Sequence, residues 1–269
     1  MNPLGMTVEA FAKEHYFERV KGHLSPNTLT FYRAVIEDII IPSFGKIRLS
    51  DITARHQQAL IEYLASPGAR TDKANDKPLA ASTVKRYATV FSSLMTEAHR
   101  MGLVSENKLR NGAVRFPKIK KEPVRAYDRD EATAFVEGLA GECPRTRALL
   151  MTSILMGLRR GEVVALKWED IDFKNHSLSV NKSAYKEKGK PQALKAPKSQ
   201  NSVRTVYFSD LYARILLEWQ TEQSKQKRNA GAQWSEQGFV FTNEVGDMMS
   251  LYAPTEICSE YEKRRGLRH

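Results

Sequence analysis

The hydrophobic pattern of this chain is helical over most of its length and switches to strand character over residues 176–208. Through the first hundred residues, apolar side chains recur every three to four positions, which is typical of amphipathic helices. Ser25 can cap a helix, and Pro26 suits the first helical position after it. A small all-α unit is therefore predicted, with helices at about residues 8–17, 25–42, 53–64 and 82–102.

A short basic segment follows this unit. Residues 113–125 contain two prolines, which favour an extended chain, together with five basic residues and one acidic residue. Such a segment can be a solvated linker or a basic strap between two domains that clamp DNA. The resulting prediction is a helical domain over 1–112, a linker over 113–125 and a second domain over 126–269.

The second domain is predicted to be mixed. Residues 177–180 and 203–208 are β-prone and roughly alternating, whereas 239–241 are too short to assign. Ser209 or Asp210 can cap the helix that follows the second strand. The fold class is therefore mainly α with a small antiparallel β-sheet, with helices in this domain at about 130–139, 146–158, 211–227 and 254–264.

Composition limits the class of protein. The chain has 269 residues, a formal net charge of +11 and 41% hydrophobic residues, so it can form real cores and favours a polyanionic partner such as nucleic acid. A basic protein with a merely solvated surface is the alternative. The two cysteines form no metal-binding or disulfide pattern and suit a reducing cytoplasm. No apolar run reaches membrane-spanning length, and the first residues do not form a signal peptide.

The stretch from 157 to 172 (GLRRGEVVALKWEDID) is the most informative. It places Arg159 directly after the predicted apolar helix 146–158, and Glu162 three residues later. A guanidinium at the end of a rigid helix can hold a tetrahedral anion by two parallel hydrogen bonds. The alternatives are an arginine that caps a helix C-terminus and a routine acidic residue in a first helical turn.

A second basic stretch lies between the predicted strands. Residues 182–204 include seven basic residues and one acidic residue. A flexible lysine at a hairpin tip, such as Lys198, can enter a DNA groove and donate a proton to a leaving oxygen. A solvated hairpin is the alternative.

The order of these motifs resembles the tyrosine recombinases, the integrases of phages and other mobile genetic elements. The resemblance extends over about 260 residues, in the order and spacing of short motifs that are individually weak. They are the SPNTL helix start at 25–29, IPSFG at 41–45, LSDIT at 49–53, STVK at 82–85, GLRRGE at 157–162, WEDID at 168–172, the Pro-Lys-Ser hairpin at 197–199, and FVFTN at 239–243 followed by Gly246.

The resemblance implies roles for individual residues. The first domain would be an all-α SAM-like core-binding domain and the second the catalytic domain. Arg159 would hold the scissile phosphate, Lys198 would act as general acid on the 5′ oxygen, and Glu162 would support the arginine. No metal or other cofactor is implied, because fixed cations stabilise the transition state. Further DNA contacts are predicted at Thr83, Lys85, Arg86, Lys118, Lys120, Lys121, Arg160, Ser199 and Arg204.

The family pattern also requires a His-x-x-Arg box and a later tyrosine nucleophile. Residues 266–269 (GLRH) resemble the turn that precedes this box, so we expect truncation just before it. Tyr252 and Tyr261 precede the box region and are not expected to be the nucleophile. We also expect the N-terminal arm-binding domain of such integrases to be missing, either because the sequence is a fragment cut at both ends or because the protein natively begins without that domain.

The predicted function is site-specific DNA recombination through a 3′-phosphotyrosyl intermediate in the complete enzyme. The expected partner is double-stranded DNA at a core or att-type site, bound by a homotetramer, with no membrane association. This chain is expected to bind the DNA without the nucleophile and therefore to be inactive by itself. The alternatives are a non-catalytic regulator or decoy on the same scaffold, and a generic basic helical interaction protein.

Overall fold

The computed structural model describes residues 5–67, 69, 77–109, 114–118, 126–187, 189–195 and 203–267. The chain forms two compact units, Met1–Pro123 and Val124–His269. Each unit has its own cluster of buried apolar side chains.

The first unit is all-helical in its described part. The helices α1 and α2 each contain a π-helical segment between two α-helical ones, and α3 and α4 are regular. Helix α1 consists of Val8–Phe11, Ala12–Tyr16 and Phe17–Val20; α2 of Pro26–Val35, Ile36–Ile40 and Ile41–Phe44; α3 is Ala54–Leu64 and α4 is Ala81–Arg100.

The predicted start of α2 is confirmed. The backbone N–H of Thr28 donates to the Ser25 hydroxyl at 3.4 Å, and Pro26 is at the start of the helix. Helix α4 buries most of its apolar side chains, and Phe91 stacks on Phe44 with ring centroids 5.3 Å apart. The opposite side of α4 is thereby left for polar and basic residues.

The second unit combines helices with two small sheets. Helix α8 packs along α6, where the hydroxyls of Thr152 and Tyr212 lie 2.6 Å apart in the core. Ser209, rather than Asp210, caps α8 by accepting from the Tyr212 N–H at 3.5 Å. The helices are α5 (Arg129–Gly138), α6 (Pro144–Leu155), α7 (Arg160–Ala165), α8 (Asp210–Ala230) and α9 (Ala253–Arg265).

The strands are β1 (Ile171–Asp172), β2 (Ser177–Val180), β3 (Ser183–Tyr185), β4 (Ala193–Lys195) and β5 (Arg204–Tyr207). An antiparallel sheet has the order β1-β2-β5, so the predicted small antiparallel sheet is confirmed. The antiparallel pair β3–β4 was not predicted, because its sequence is too polar to show an alternating apolar face. Tertiary contacts hold it instead: the Gln192 amide donates to the Met249 carbonyl at 2.8 Å and accepts from the Leu251 N–H at 2.6 Å.

The predicted end of the apolar helix at Leu158 is wrong. Helix α6 ends at Leu155, and Gly157 follows with φ of +58°, a left-handed conformation that stops a helix. Arg159 therefore does not continue α6. It occupies the N-cap position of the next helix, α7, in an extended conformation.

Candidate functional site

The candidate site is built at the N-terminus of α7. Glu162, the third residue of this helix, turns its carboxylate back and accepts the Arg159 backbone N–H at 2.9 Å. The same carboxylate accepts Nη1 of Arg159 at 3.0 Å. The Glu162 side chain is 8% exposed and that of Arg159 is 76% exposed. A buried carboxylate thus fixes an arginine that faces solvent.

A second arginine reaches the same carboxylate from the sheet. Arg204, the first residue of β5, donates through Nη2 to Oε2 of Glu162 at 2.8 Å and through Nη1 to Oε1 at 3.3 Å. Its Nη2 also lies 3.4 Å from the carbonyl oxygen of Gly157. Arg204 therefore connects β5 to the turn between α6 and α7.

The two arginines lower the pKa of Glu162. Burial by itself would raise the pKa of this carboxyl, but hydrogen bonds from Arg204 and Arg159 outweigh burial and hold the pKa below its ordinary value. The hydrogen bond to Glu162 correspondingly raises the pKa of Arg204. The carboxylate is ionised at neutral pH, and one negative charge faces two positive charges.

Helix α7 is seated directly on the β3–β4 hairpin. A Cβ atom on Gly161 would lie 2.6 Å from the Ala184 carbonyl oxygen and 2.6 Å from the Ser183 hydroxyl. Such a close backbone approach requires glycine. It couples the position of Arg159 to the hairpin that precedes the predicted general acid.

Four of the predicted residues lie outside the described part of the chain. Lys198 and Ser199 fall between β4 and β5, outside the described residues, as do Lys120 and Lys121 in the basic segment. Lys118 is described and exposed. The predicted roles of these residues remain predictions.

Arg160, next to Arg159 in the chain, contacts Tyr252, and Tyr261 is hydrogen-bonded within the core. The Arg160 guanidinium lies 4.9 Å from the centre of the Tyr252 ring, a cation–π distance. The Tyr261 hydroxyl is buried and donates to the Phe135 carbonyl at 2.6 Å. Burial raises the pKa of Tyr261, which opposes formation of the phenolate.

The predicted DNA contacts of the first unit lie at the start of α4. Lys85 and Arg86 are exposed and Thr83 is half-buried. The Arg86 guanidinium lies 4.5 Å from the centre of the Phe31 ring, which limits its freedom. Lys85 lines a groove of about 660 Å³ along α4, together with Phe116. This surface belongs to the first unit, and the arginine site belongs to the second.

Two further observations concern ligands and membranes. Among the described residues, no cluster of three or more His, Cys, Asp or Glu side chains is arranged to hold a metal ion. Nor does any helix in the described parts of the chain have the length and apolarity needed to cross a bilayer.

The pairing of Arg204 with Glu162 was missed by sequence reasoning, which predicted Arg204 only as a DNA contact. One signal for it exists. Arg204 shares its strand face with Val206, which packs against the core, whereas Thr205 and Tyr207 point outward. An arginine on the apolar face of a strand indicates a buried acidic partner, although the partner itself cannot be named from that pattern.

Comparison with known proteins identifies the family. The profile of the phage integrase N-terminal SAM-like domain matches residues 7–65, and that of the phage integrase family matches residues 126–269. A tyrosine recombinase XerC-like protein of Caldanaerobacter subterraneus is 28% identical over 199 residues, which are 68% of this chain and 50% of that protein. The chain spans about half the length of such curated relatives.

Solved structures show the same fold. The Tn1549 transposon integrase in complex with a circular intermediate DNA superimposes with a TM-score of 0.75 at 15% identity, over 98% of this chain and 80% of that one. The lambda integrase tetramer bound to a Holliday junction gives a TM-score of 0.61 at 17% identity, over 100% of this chain and 69% of that one. Since a family profile matches more than half of its residues, this chain belongs to the phage integrase family.

Proposed function

We propose that this chain binds duplex DNA at a core-type site, as part of a site-specific recombinase that cleaves and rejoins DNA through a 3′-phosphotyrosyl intermediate. The observation that supports this most directly is the exposed Arg159 guanidinium, held at a helix N-terminus by buried Glu162. The solved relatives named above are bound to DNA, and one is a tetramer on a Holliday junction. We extend both properties, DNA binding and tetramer formation, to the complete enzyme.

In this proposal the chemistry depends on fixed cations. Arg159 contacts the scissile phosphate and stabilises the charge that develops in the transition state. Lys198 protonates the 5′ leaving oxygen. Glu162 keeps Arg159 in place and takes no part in proton transfer, because its carboxylate already accepts hydrogen bonds from two arginines.

The remaining predicted residues contact DNA outside the reacting phosphate. Thr83, Lys85 and Arg86 lie in the first turns of α4, whose N-terminus presents donors to phosphate and side chains to a major groove. Lys118, Lys120 and Lys121 add affinity with little sequence choice. Arg160 and Ser199 complete the proposed contact set.

We further propose that none of the tyrosines in these 269 residues is the nucleophile. Tyr261 is buried, and its hydroxyl donates to a backbone carbonyl. Tyr252 is 46% exposed, but its ring lies under the Arg160 guanidinium. On this proposal the chain binds its DNA site and forms no covalent bond with it.

The first experiment measures DNA affinity as a function of salt. Because each phosphate contact releases counterions, log K should fall linearly with log salt, with a slope of about −0.9 per contacted phosphate. Combined substitution of Lys85→Ala and Arg86→Ala should weaken binding to the cognate core site. A flat salt response would contradict the proposed clamp, and unchanged binding by the double variant would contradict the α4 assignment.

The second experiment uses a nicked suicide substrate, which traps any phosphotyrosyl bond. The 269-residue chain should give no covalent adduct, whereas the complete enzyme should give one that Arg159→Ala abolishes. Lys198→Ala should slow cleavage strongly, and a 5′-bridging phosphorothioate should restore it, because that leaving group needs no general acid. An adduct from the 269-residue chain itself would make Tyr252 or Tyr261 the nucleophile. Binding without any adduct in the complete enzyme would favour a non-catalytic regulator.

A further inference from the structure

The Glu162 carboxylate accepts hydrogen bonds from two arginines that differ in solvent exposure. Glu162 accepts Arg159 through Nη1 at 3.0 Å and Arg204 through two nitrogens, at 2.8 and 3.3 Å. The Arg159 side chain is 76% exposed, whereas that of Arg204 is 31% exposed. The stronger, two-nitrogen pairing is therefore made by the arginine that is less available to an external anion.

This division has an electrostatic consequence for Arg159. A carboxylate paired with a single guanidinium neutralises it, whereas a carboxylate shared between two leaves one net positive charge. In this site the uncompensated positive charge lies on the more exposed of the two arginines, Arg159. If Arg204 were absent, both oxygens of Glu162 could turn to Arg159 and occupy the donors that a phosphate would use.

We propose that Arg204 is a positioning residue, which holds Glu162 by two hydrogen bonds and thereby keeps the Arg159 guanidinium available to a phosphate. This inference rests on the proposed function, in which Arg159 contacts the DNA backbone. Arg204 itself makes no phosphate contact in this arrangement. Two of its nitrogens face Glu162, and the same Nη2 approaches the Gly157 carbonyl.

Removing the carboxylate along with the arginine distinguishes positioning from direct contact. The measurement is the salt dependence of duplex binding by the full chain, for wild type, Arg204→Gln and the double variant Arg204→Gln/Glu162→Gln. In Arg204→Gln the magnitude of the slope should fall by about 0.9, the contribution of one phosphate. In the double variant it should return to the wild-type value, because the neutral amide at 162 no longer neutralises Arg159.

Controls separate this effect from lost charge and lost structure. Arg228 is an exposed arginine on α8, so Arg228→Gln removes the same charge and should leave the slope unchanged. Arg204→Lys keeps the charge but offers a single nitrogen, so it should give an intermediate slope. If Arg204→Gln does not fold, as judged by circular dichroism, the comparison of Arg204→Lys with the double variant still tests the prediction.

The outcomes are distinct. A slope that falls equally in Arg204→Gln and in the double variant would overturn the inference and make Arg204 a direct phosphate contact. A slope unchanged in Arg204→Gln would also overturn it. Wild-type chain that shows no salt-dependent DNA binding would instead overturn the proposed function, and the inference with it.

Discussion

Among the described residues, Glu97 in the first unit and Glu162 in the second are buried glutamates that each pair with two arginines, and these two clusters differ in one respect. In the first unit, Glu97 on α4 accepts Arg19 at 3.3 Å and Arg100 at 2.5 Å. In the second, Glu162 accepts Arg159 at 3.0 Å and Arg204 at 2.8 Å. The two carboxylates are similarly buried, with 11% and 8% of the side chain exposed.

The difference lies in the backbone. Glu97 is near the end of a long helix, where Arg19 joins α1 to α4 and Arg100 pairs with Glu97 within α4. Glu162 is at the start of a helix and accepts the Arg159 N–H as well as the guanidinium. The same kinds of side chain therefore connect two helices in the first unit and hold an exposed arginine at a helix N-terminus in the second.

The largest expected difference between the two clusters is in the free energy of unfolding that is lost when Glu162 or Glu97 is replaced by alanine. Glu162→Ala should lower the free energy of unfolding of the second unit by about 3 kcal/mol, because Arg204 would stay partly buried without a partner charge. Glu97→Ala should cost about 1 kcal/mol, because both of its arginines are already well exposed and can be solvated. Calorimetry or urea unfolding of the full chain measures both. Equal losses would contradict the comparison.

A smaller loss is expected where α7 meets β3. Gly161→Ala should destabilise the second unit by about 2 kcal/mol, because its Cβ would lie 2.6 Å from the Ala184 carbonyl and either α7 or the hairpin must shift. Gly22→Ala is the matched control in the first unit, where a Cβ would meet nothing within 4 Å. Its effect on unfolding should stay within about 0.5 kcal/mol. If Gly161→Ala left the free energy of unfolding unchanged, the contact between α7 and β3 would not be close.

Sequence reasoning anticipated some of this site and missed the rest. Arg159 and Glu162 are three residues apart, and a first helical turn brings such neighbours together whatever the rest of the fold does. Arg204 lies 42 positions further along the chain, so its approach depends on the sheet that pairs β5 with β2. The helix end at Leu155 was misplaced because Leu158 continues the apolar pattern, while Gly157 breaks the backbone.

Arg159 and Arg19 are both exposed and both pair with a buried glutamate, yet we expect only Arg159 to contact DNA. Arg159→Ala should weaken duplex binding by about tenfold, roughly 1.4 kcal/mol, and reduce the salt slope by about 0.9. Arg19→Ala removes an exposed arginine with a similar glutamate partner, yet it should leave both quantities nearly unchanged. A filter-binding or fluorescence titration at several salt concentrations measures both variants. Comparable losses from the two would show that general charge, and not position, determines binding.

The smallest expected effect is on pH dependence. The folded pKa of Glu162 is below its ordinary value of 4.5, so its ionised form stabilises the second unit above that pH. This contribution should disappear as the pH falls below 4.5 through the folded pKa. Unfolding of the wild type between pH 6 and pH 3, compared with Glu162→Gln, measures it. The variant should lose less stability over this range, and identical profiles would contradict the pairing.

The sequence by itself determined the local features of this protein: the helix periodicity, the Ser25 and Pro26 start, the proximity of Arg159 to Glu162, and the family resemblance. These depend on neighbours within a few residues or on the order of short motifs. Tertiary structure alone decided that β3 and β4 pair, that Gly161 rests on them, and that Arg204 shares Glu162 with Arg159. Such contacts join residues far apart in the chain, and they form only when burial in a common core brings their elements together.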